Sequence, residues 1–141
     1  MIVYFDTSSF VKLYVDEEGS AASRELMASS ELAASSWLLF VEMRGALARM
    51  YRDSRIDTTY HQGALARFGD DWSSAVRIPV TESILRTAAE MAERHLLKAL
   101  DAIHLASALT LSRREDVVLS AWDRPLLDAA MAEGIRVIPV Q

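Results

Sequence analysis

With 141 residues, 51% of them hydrophobic, and only five glycines and three prolines, the chain has the apolar content of one compact, helix-rich domain and not of a disordered segment. Fifteen Lys and Arg against 20 Asp and Glu leave a formal charge of -5, so the whole-molecule field does not attract a polyanion, and nucleic-acid binding would need locally placed cations. The absence of cysteine excludes a disulfide framework, a thiolate metal site and a Cys nucleophile, and fits a reducing cytoplasm.

The N-terminal "MIVYFDTSSF" lacks the basic region and long apolar stretch of a signal peptide, and "WLLFV" is far too short to span a bilayer, so a soluble cytoplasmic protein with no membrane contact is expected. "IVYF" reads as a first, fully buried strand that stops at Asp6, and "DTSSFVKLYV" opens a helix or turn with Asp6, Thr7 and Ser8 as possible caps. A short helix follows over Ser20 to Ser29, then a second strand, "ELAAS". Ser36 can cap a long helix from Trp37 to about Arg52, and Asp57 or Thr58 opens another through the Phe68 region. "VRIPV" reads as a third strand, Thr81 and Glu82 start the helix "ESILRTAAEMAERH", and Asp101 heads the next one. "DVVLSAW" is a fourth strand ending before Asp123. "DRPLLDAAMAEG" has the acidic cap, early Pro and closing Gly of a helix, and "IRVIPV" is a last strand.

Strands alternating with helices imply a parallel sheet covered on both faces, since parallel neighbours are joined by crossovers. The expected class is therefore α/β, a three-layer α/β/α sandwich around a mainly parallel sheet of four to five strands, with residues 1–141 as a single domain. In such sheets ligands gather outside the carboxyl ends of the strands. Asp6 follows strand one, Asp123 follows strand four and Asp101 stands at a helix start, so all three are expected at that edge. Glu42, the only charge in "WLLFVEM", shares a helical face with Leu38, Gly45 and Ala46. For Asp101 alone, helix capping is an equally good account; the recurrence of acids in such places favours a site.

Four carboxylates converging on one pocket repel by about 1 to 4 kcal/mol per pair at intermediate dielectric, so without compensation some would take up protons. A divalent cation removes the conflict, and an all-oxygen set without Cys favours Mg²⁺ or Mn²⁺ over Zn²⁺. Such an ion with carboxylates and water is the chemistry of phosphodiester hydrolysis.

Asp6 in "DTSSFVK", Glu42 in "FVEMRGAL", Asp101 in "LDAIHLASA" and Asp123 in "WDRPLLDAAMAEG" resemble the acidic quartet of PIN-domain nucleases, and the chain is similar to the VapC-type toxins of toxin–antitoxin pairs. The match runs from the first strand to Gly134, and "LDAIHLASA" is its most specific part. The resemblance implies a PIN-like fold, a metal-dependent endoribonuclease acting on RNA, and these four acids as catalytic and metal-binding residues. It also implies a cognate VapB-type antitoxin partner and a homodimer. Family members commonly carry a hydroxyl two positions before the last acid; here that position is Ala121, with Ser120 one place earlier.

Other residues carry two readings each. Thr7 and Ser8 could orient Asp6 or simply cap the helix after it, and Lys12 could meet a phosphate or be an ordinary exposed lysine. His104, one turn after Asp101, reads as a hydrogen-bonded core histidine and not as a ligand. Arg44, Arg49, Arg52 and Arg55 could form a phosphate track or an ordinary solvated face. The apolar excess of "WLLFVEMRGALARMY" exceeds one core contact, so part of it could serve a dimer or antitoxin interface. A phosphoacceptor domain would want paired acids after the first strand and a late lysine, and a dehalogenase-type phosphatase a second Asp at position 8, which is Ser. A catalytically silent binding module keeping the fold and the acids is the remaining alternative.

Overall fold

The structure is a computed structural model that describes residues 1–138. Five strands, β1 (Ile2–Phe5), β2 (Leu32–Ser36), β3 (Val76–Ile78), β4 (Val117–Ser120) and β5 (Arg136–Ile138), alternate with helices α1 (Thr7–Phe10), α2 (Ser20–Ser29), α3 (Leu38–Arg52), α4 (Thr58–Ser74), α5 (Glu82–His95), α6 (Ala99–Ser112) and α7 (Arg124–Ala132). A 3-10 turn over Val11–Leu13 extends α1. The sheet order is β3-β2-β1-β4-β5 with every pairing parallel, as the alternation of strands and helices leads one to expect.

Strand β1 is central and buried on both faces, which is why "IVYF" shows no polar alternation. Val3 and Phe5 face a core shared with Phe10, Leu39, Met43, Leu47, Phe68 and Trp72, under α1, α3 and α4. Ile2 and Tyr4 point the other way, into a core with Ile84, Met91, Leu105, Leu119, Leu126 and Val137, under α5 to α7. The three-layer arrangement follows. On α5 the buried Ile84, Ala88 and Met91 recur at helical spacing. Helix α6 has no such polar face from Ala102 to Ala108, where His104 and Ser107 are buried with the apolar residues, because it is packed between the sheet and its helical neighbours.

Most expected caps form. The carboxylate of Asp57 accepts from Tyr60 N and the hydroxyl of Thr81 from Ile84 N, while α3 starts at Leu38 with Trp37 in the capping position, and Ser36 Oγ accepts from Leu38 N from one residue further out. Several boundaries differ from expectation. Helix α4 runs beyond the Phe68 region to Ser74. Strand β3 stops at Ile78, before Pro79, which has no N–H to extend the ladder. Strand β4 ends at Ser120, where β1 ends opposite it at Phe5, so "AW" belongs to the loop before α7. The expected last strand reaches Ile138; Pro139 and Val140 lie outside the described residues. Asp101 does not head its helix: α6 begins at Ala99 with Lys98 as the capping residue, and Asp101 sits in the first turn. Capping therefore does not account for that carboxylate.

The sheet order reverses direction at β1, whose neighbours are β2 on one side and β4 on the other. Loops leaving β1 and β4 diverge there to opposite layers, opening a crevice at the carboxyl edge.

Candidate active site

Asp6 leaves β1 in extended conformation and caps α1. Its Oδ1 accepts from Ser9 N at 3.0 Å and from Ser8 Oγ at 2.7 Å. The side chain is almost fully enclosed, with 4% exposure, and burial pushes its pKa to about 6; the proximity of His104 and the Ser8 and Ser9 hydrogen bonds oppose that rise and the charge of Asp123 adds to it. Asp101, half-buried, is also raised to about 6, by burial first, then by its contact with and the charge of Asp123, then by the charge of Asp6. Asp123 precedes α7 and caps no backbone N–H with its side chain. Together with Leu96, Leu97, Lys98 and Pro125, Asp101 and Asp123 line a cavity of about 160 Å³. Asp6, Asp101 and Asp123 are thus one electrostatic group at the carboxyl edge.

Glu42 takes a different set of partners. It projects from the half-buried flank of α3, beside the fully buried Leu39, Met43 and Leu47. Its Oε1 accepts from Thr7 Oγ1 at 2.6 Å and from His104 Nε2 at 2.8 Å. Burial alone would raise its pKa, but these hydrogen bonds, that of His104 first and then that of Thr7, hold it below the usual carboxylate range. His104 lies near enough to Asp6 and Asp101 to act on both as well as on Glu42, and so stands between the fourth acid and these two. Its Nδ1 meets the hydroxyl of Tyr4 at 2.8 Å.

The donor set is entirely oxygen, and two of its acids are strained by burial and mutual repulsion, which suits a hard divalent cation. Among the described residues no three acids or histidines approach closely enough to enclose an ion by themselves.

The PIN domain model matches residues 3–137. This chain belongs to the PIN-domain family. The PIN domain is 36% identical to Ribonuclease VapC45 of Mycobacterium tuberculosis over 140 residues, covering 99% of this chain and 96% of that relative. Among solved structures it matches VapC20 of Mycobacterium tuberculosis, described as a Sarcin-Ricin loop cleaving toxin, with a TM-score of 0.68 and 20% identity over 94% of this chain and 95% of that one. A toxin-antitoxin complex from Klebsiella pneumoniae matches with a TM-score of 0.64 and 22% identity, covering 89% of each chain. The two structural likenesses show the fold.

The lesser candidates divide clearly in this PIN domain. Thr7 turns to Glu42, and Ser8 donates to Asp6 while accepting from Trp122 N at 2.9 Å. Ser120 meets Asp6 through its backbone carbonyl, which accepts from Asp6 N at 3.1 Å, while its hydroxyl is buried against that of Ser9 at 2.5 Å. Lys12 is neither exposed nor free, since it bonds Glu17 Oε1 and Glu18 O and lies 5.0 Å from the Trp122 ring centroid. Three of the four arginines have partners of their own. Arg44 stacks on Phe40, Arg52 bonds the adjacent Asp53, and Arg55, beyond the end of α3, approaches Glu17. Two contributors were not read from the sequence. Tyr4 looks like any strand residue until His104 is seen beside it, and Trp122 looks like the end of a strand until its ring is found against Gly19. A Cβ on Gly19 would come within 2.4 Å of that indole, and its φ of +89° is one that glycine alone adopts readily.

Proposed function

We propose that this PIN domain, spanning residues 1–141, is a metal-dependent endoribonuclease that hydrolyses RNA phosphodiester bonds as the toxin of a toxin–antitoxin pair. The observation that carries this reading is the electrostatic coupling of Asp6, Asp101 and Asp123 at the carboxyl edge of the sheet. Its support is the likeness to a relative named as a ribonuclease and the fold shared with toxins.

In this reading Asp6, Asp101 and Asp123, with Glu42 beside them, hold Mg²⁺ or Mn²⁺. Such an ion, once bound, supplies Lewis acidity toward a phosphodiester and makes water a competent nucleophile at neutral pH. The residues do the rest. Ser8 and Ser9 N–H fix one Asp6 oxygen, leaving the other for coordination. Thr7 and His104 both bind Oε1 of Glu42 and keep it ionised, so Oε2 is the oxygen able to take a ligand or a water proton. Burial of Asp6 strengthens its interaction with an incoming cation.

The antitoxin and homodimer assignments belong to the same proposal. They draw on the exposed apolar side chains of the α3 region, Trp37 at 42%, Val41 at 69% and Tyr51 at 42%. Cytoplasmic action is consistent with the described helices, none of which is long and apolar enough to cross a membrane.

The decisive experiment is RNA cleavage by the purified protein. Cleavage is expected in Mg²⁺ or Mn²⁺, lost in EDTA, restored by either ion and suppressed by the co-purified antitoxin. Cleavage that persists in chelator would overturn the metal mechanism. A folded protein inert toward RNA with either metal would favour the silent binding module.

A further inference from the structure

The buried polar groups next to the acids form a continuous chain. A carboxylate can only accept, so the 2.8 Å contact between Glu42 Oε1 and His104 Nε2 requires a proton on Nε2. In the neutral imidazole Nδ1 is then an acceptor, and the Tyr4 hydroxyl, 2.8 Å away, donates to it. Tyr4 is fully buried in the central strand, and its ring meets the imidazole edge-on at 5.9 Å. His104 is itself only 2% exposed. With the chemistry of the site set aside, packing requires neither nitrogen to point in a particular direction, yet both ring nitrogens are engaged and one of them ends on an acid of the candidate site.

We infer that His104 is a positioning residue: Tyr4 fixes it as the Nε2–H tautomer, and that N–H, with the Thr7 hydroxyl, orients the Glu42 carboxylate so that Oε2 faces the candidate metal site. The inference rests on the metal-dependent nuclease reading and adds to it a supporting pair, Tyr4 and His104, outside the four acids. Such outer partners of a ligating group commonly change metal affinity by about 10- to 100-fold when removed.

Two isosteres separate positioning from packing. The amide nitrogen of Gln reaches the position of Nε2, whereas that of Asn reaches only the position of Nδ1. Asn leaves about one methylene more space empty than Gln, so the thermal stability of both variants is measured beside metal affinity to separate packing from positioning. Calorimetric titration with Mn²⁺ is expected to give His104→Gln a dissociation constant within about threefold of the native protein and His104→Asn one weakened about 10-fold or more. Cleavage should follow the same order through kcat with KM for RNA little changed. Tyr4→Phe keeps the ring and its packing, and is expected to weaken Mn²⁺ by an intermediate factor. Equal Mn²⁺ affinity in His104→Gln and His104→Asn, both folded by circular dichroism, would overturn the inference. A readout on the native protein guards against variants that do not fold: ¹⁵N–¹H correlation of the histidine ring should show the Nε2–H tautomer for His104, and the Nδ1–H form would overturn the inference directly. Failure of the nuclease reading looks different, because the native protein would then neither bind Mn²⁺ nor cleave RNA.

Discussion

Asp101 occupies the first turn of a helix capped by another residue, so replacing it tests its surroundings and not its local geometry. Asn cannot ionise, and Asp101→Asn removes one of three mutually repelling charges. In EDTA at pH 7.5 the variant is expected to be more stable than the native protein by about 1 kcal/mol, a rise in Tm of about 2 to 5 °C for a chain of this size. RNA cleavage should fall by at least two orders of magnitude. Differential scanning calorimetry beside a cleavage assay checks both, and unchanged Tm with native cleavage would return Asp101 to a surface role. Asp6, Asp101 and Asp123 were legible in the sequence because each interrupts an apolar run or ends a strand, where an ionised group is costly without a purpose. The Tyr4–His104–Glu42 chain was not, because it joins residues 4, 42 and 104 through three elements whose relative rotation no one-dimensional pattern carries.

At the level of elements, helix type and order could be read from period and caps, while ends depended on pairing. Strand β4 ends where β1 ends, and β3 ends where a proline begins; the first of these is a tertiary limit and the second a local one. Two helix ends run against local preference: α3, followed by Ser54 at φ +60°, and α5, where the side chain at stake is larger. The capping residue of α5 is Leu96, in the left-handed region at φ +54°, with 89% of its surface exposed. No glycine stands there to adopt that conformation without a Cβ penalty, and little packing compensates. Leu96→Gly is accordingly expected to stabilise the protein by about 0.5 to 1 kcal/mol despite the greater backbone entropy of unfolded Gly. Chemical denaturation should show a higher midpoint at unchanged slope. A lower midpoint would mean that Leu96 makes contacts worth more than its strain. Because Leu96 also lines the cavity with Asp101 and Asp123, a stabilised variant that binds RNA or antitoxin less tightly would show that the exposed leucine is retained for contact.

Over the whole molecule, the parallel sheet brings Asp6 and Asp123 from opposite ends of the sequence to one edge, with Asp101 beside them, and the cost of that convergence is visible as pH dependence. Asp6 and Asp101 titrate in the folded protein near pH 6, well above the ordinary carboxylate range near 4 that they recover on unfolding. Between those values the folded state holds more protons than the unfolded one, so stability falls as pH rises. For the enclosed Asp6 alone the full loss is about 3 kcal/mol, part of it already incurred by pH 5. Glu42 and Glu133 shift the opposite way: burial opposes the change at Glu42, but His104 and Thr7 outweigh it, and Arg94 and His95 lower Glu133. Their contribution is present at neutral pH and is lost below about pH 4.5. Metal-free protein is therefore expected to be most stable near pH 4, where the two effects balance, and to lose about 1 to 3 kcal/mol between pH 5 and pH 7.5. Mn²⁺ should reverse that slope, since cations and protons compete for the same oxygens. At a concentration 100 times the dissociation constant the ion adds about 2.7 kcal/mol at pH 7.5, and it should add much less at pH 5, where two of the acids are largely protonated. Thermal unfolding at both pH values, in EDTA and in Mn²⁺, reads all four states. Stabilisation by Mn²⁺ that is equal at pH 5 and pH 7.5 would show that the ion binds elsewhere than at Asp6 and Asp101.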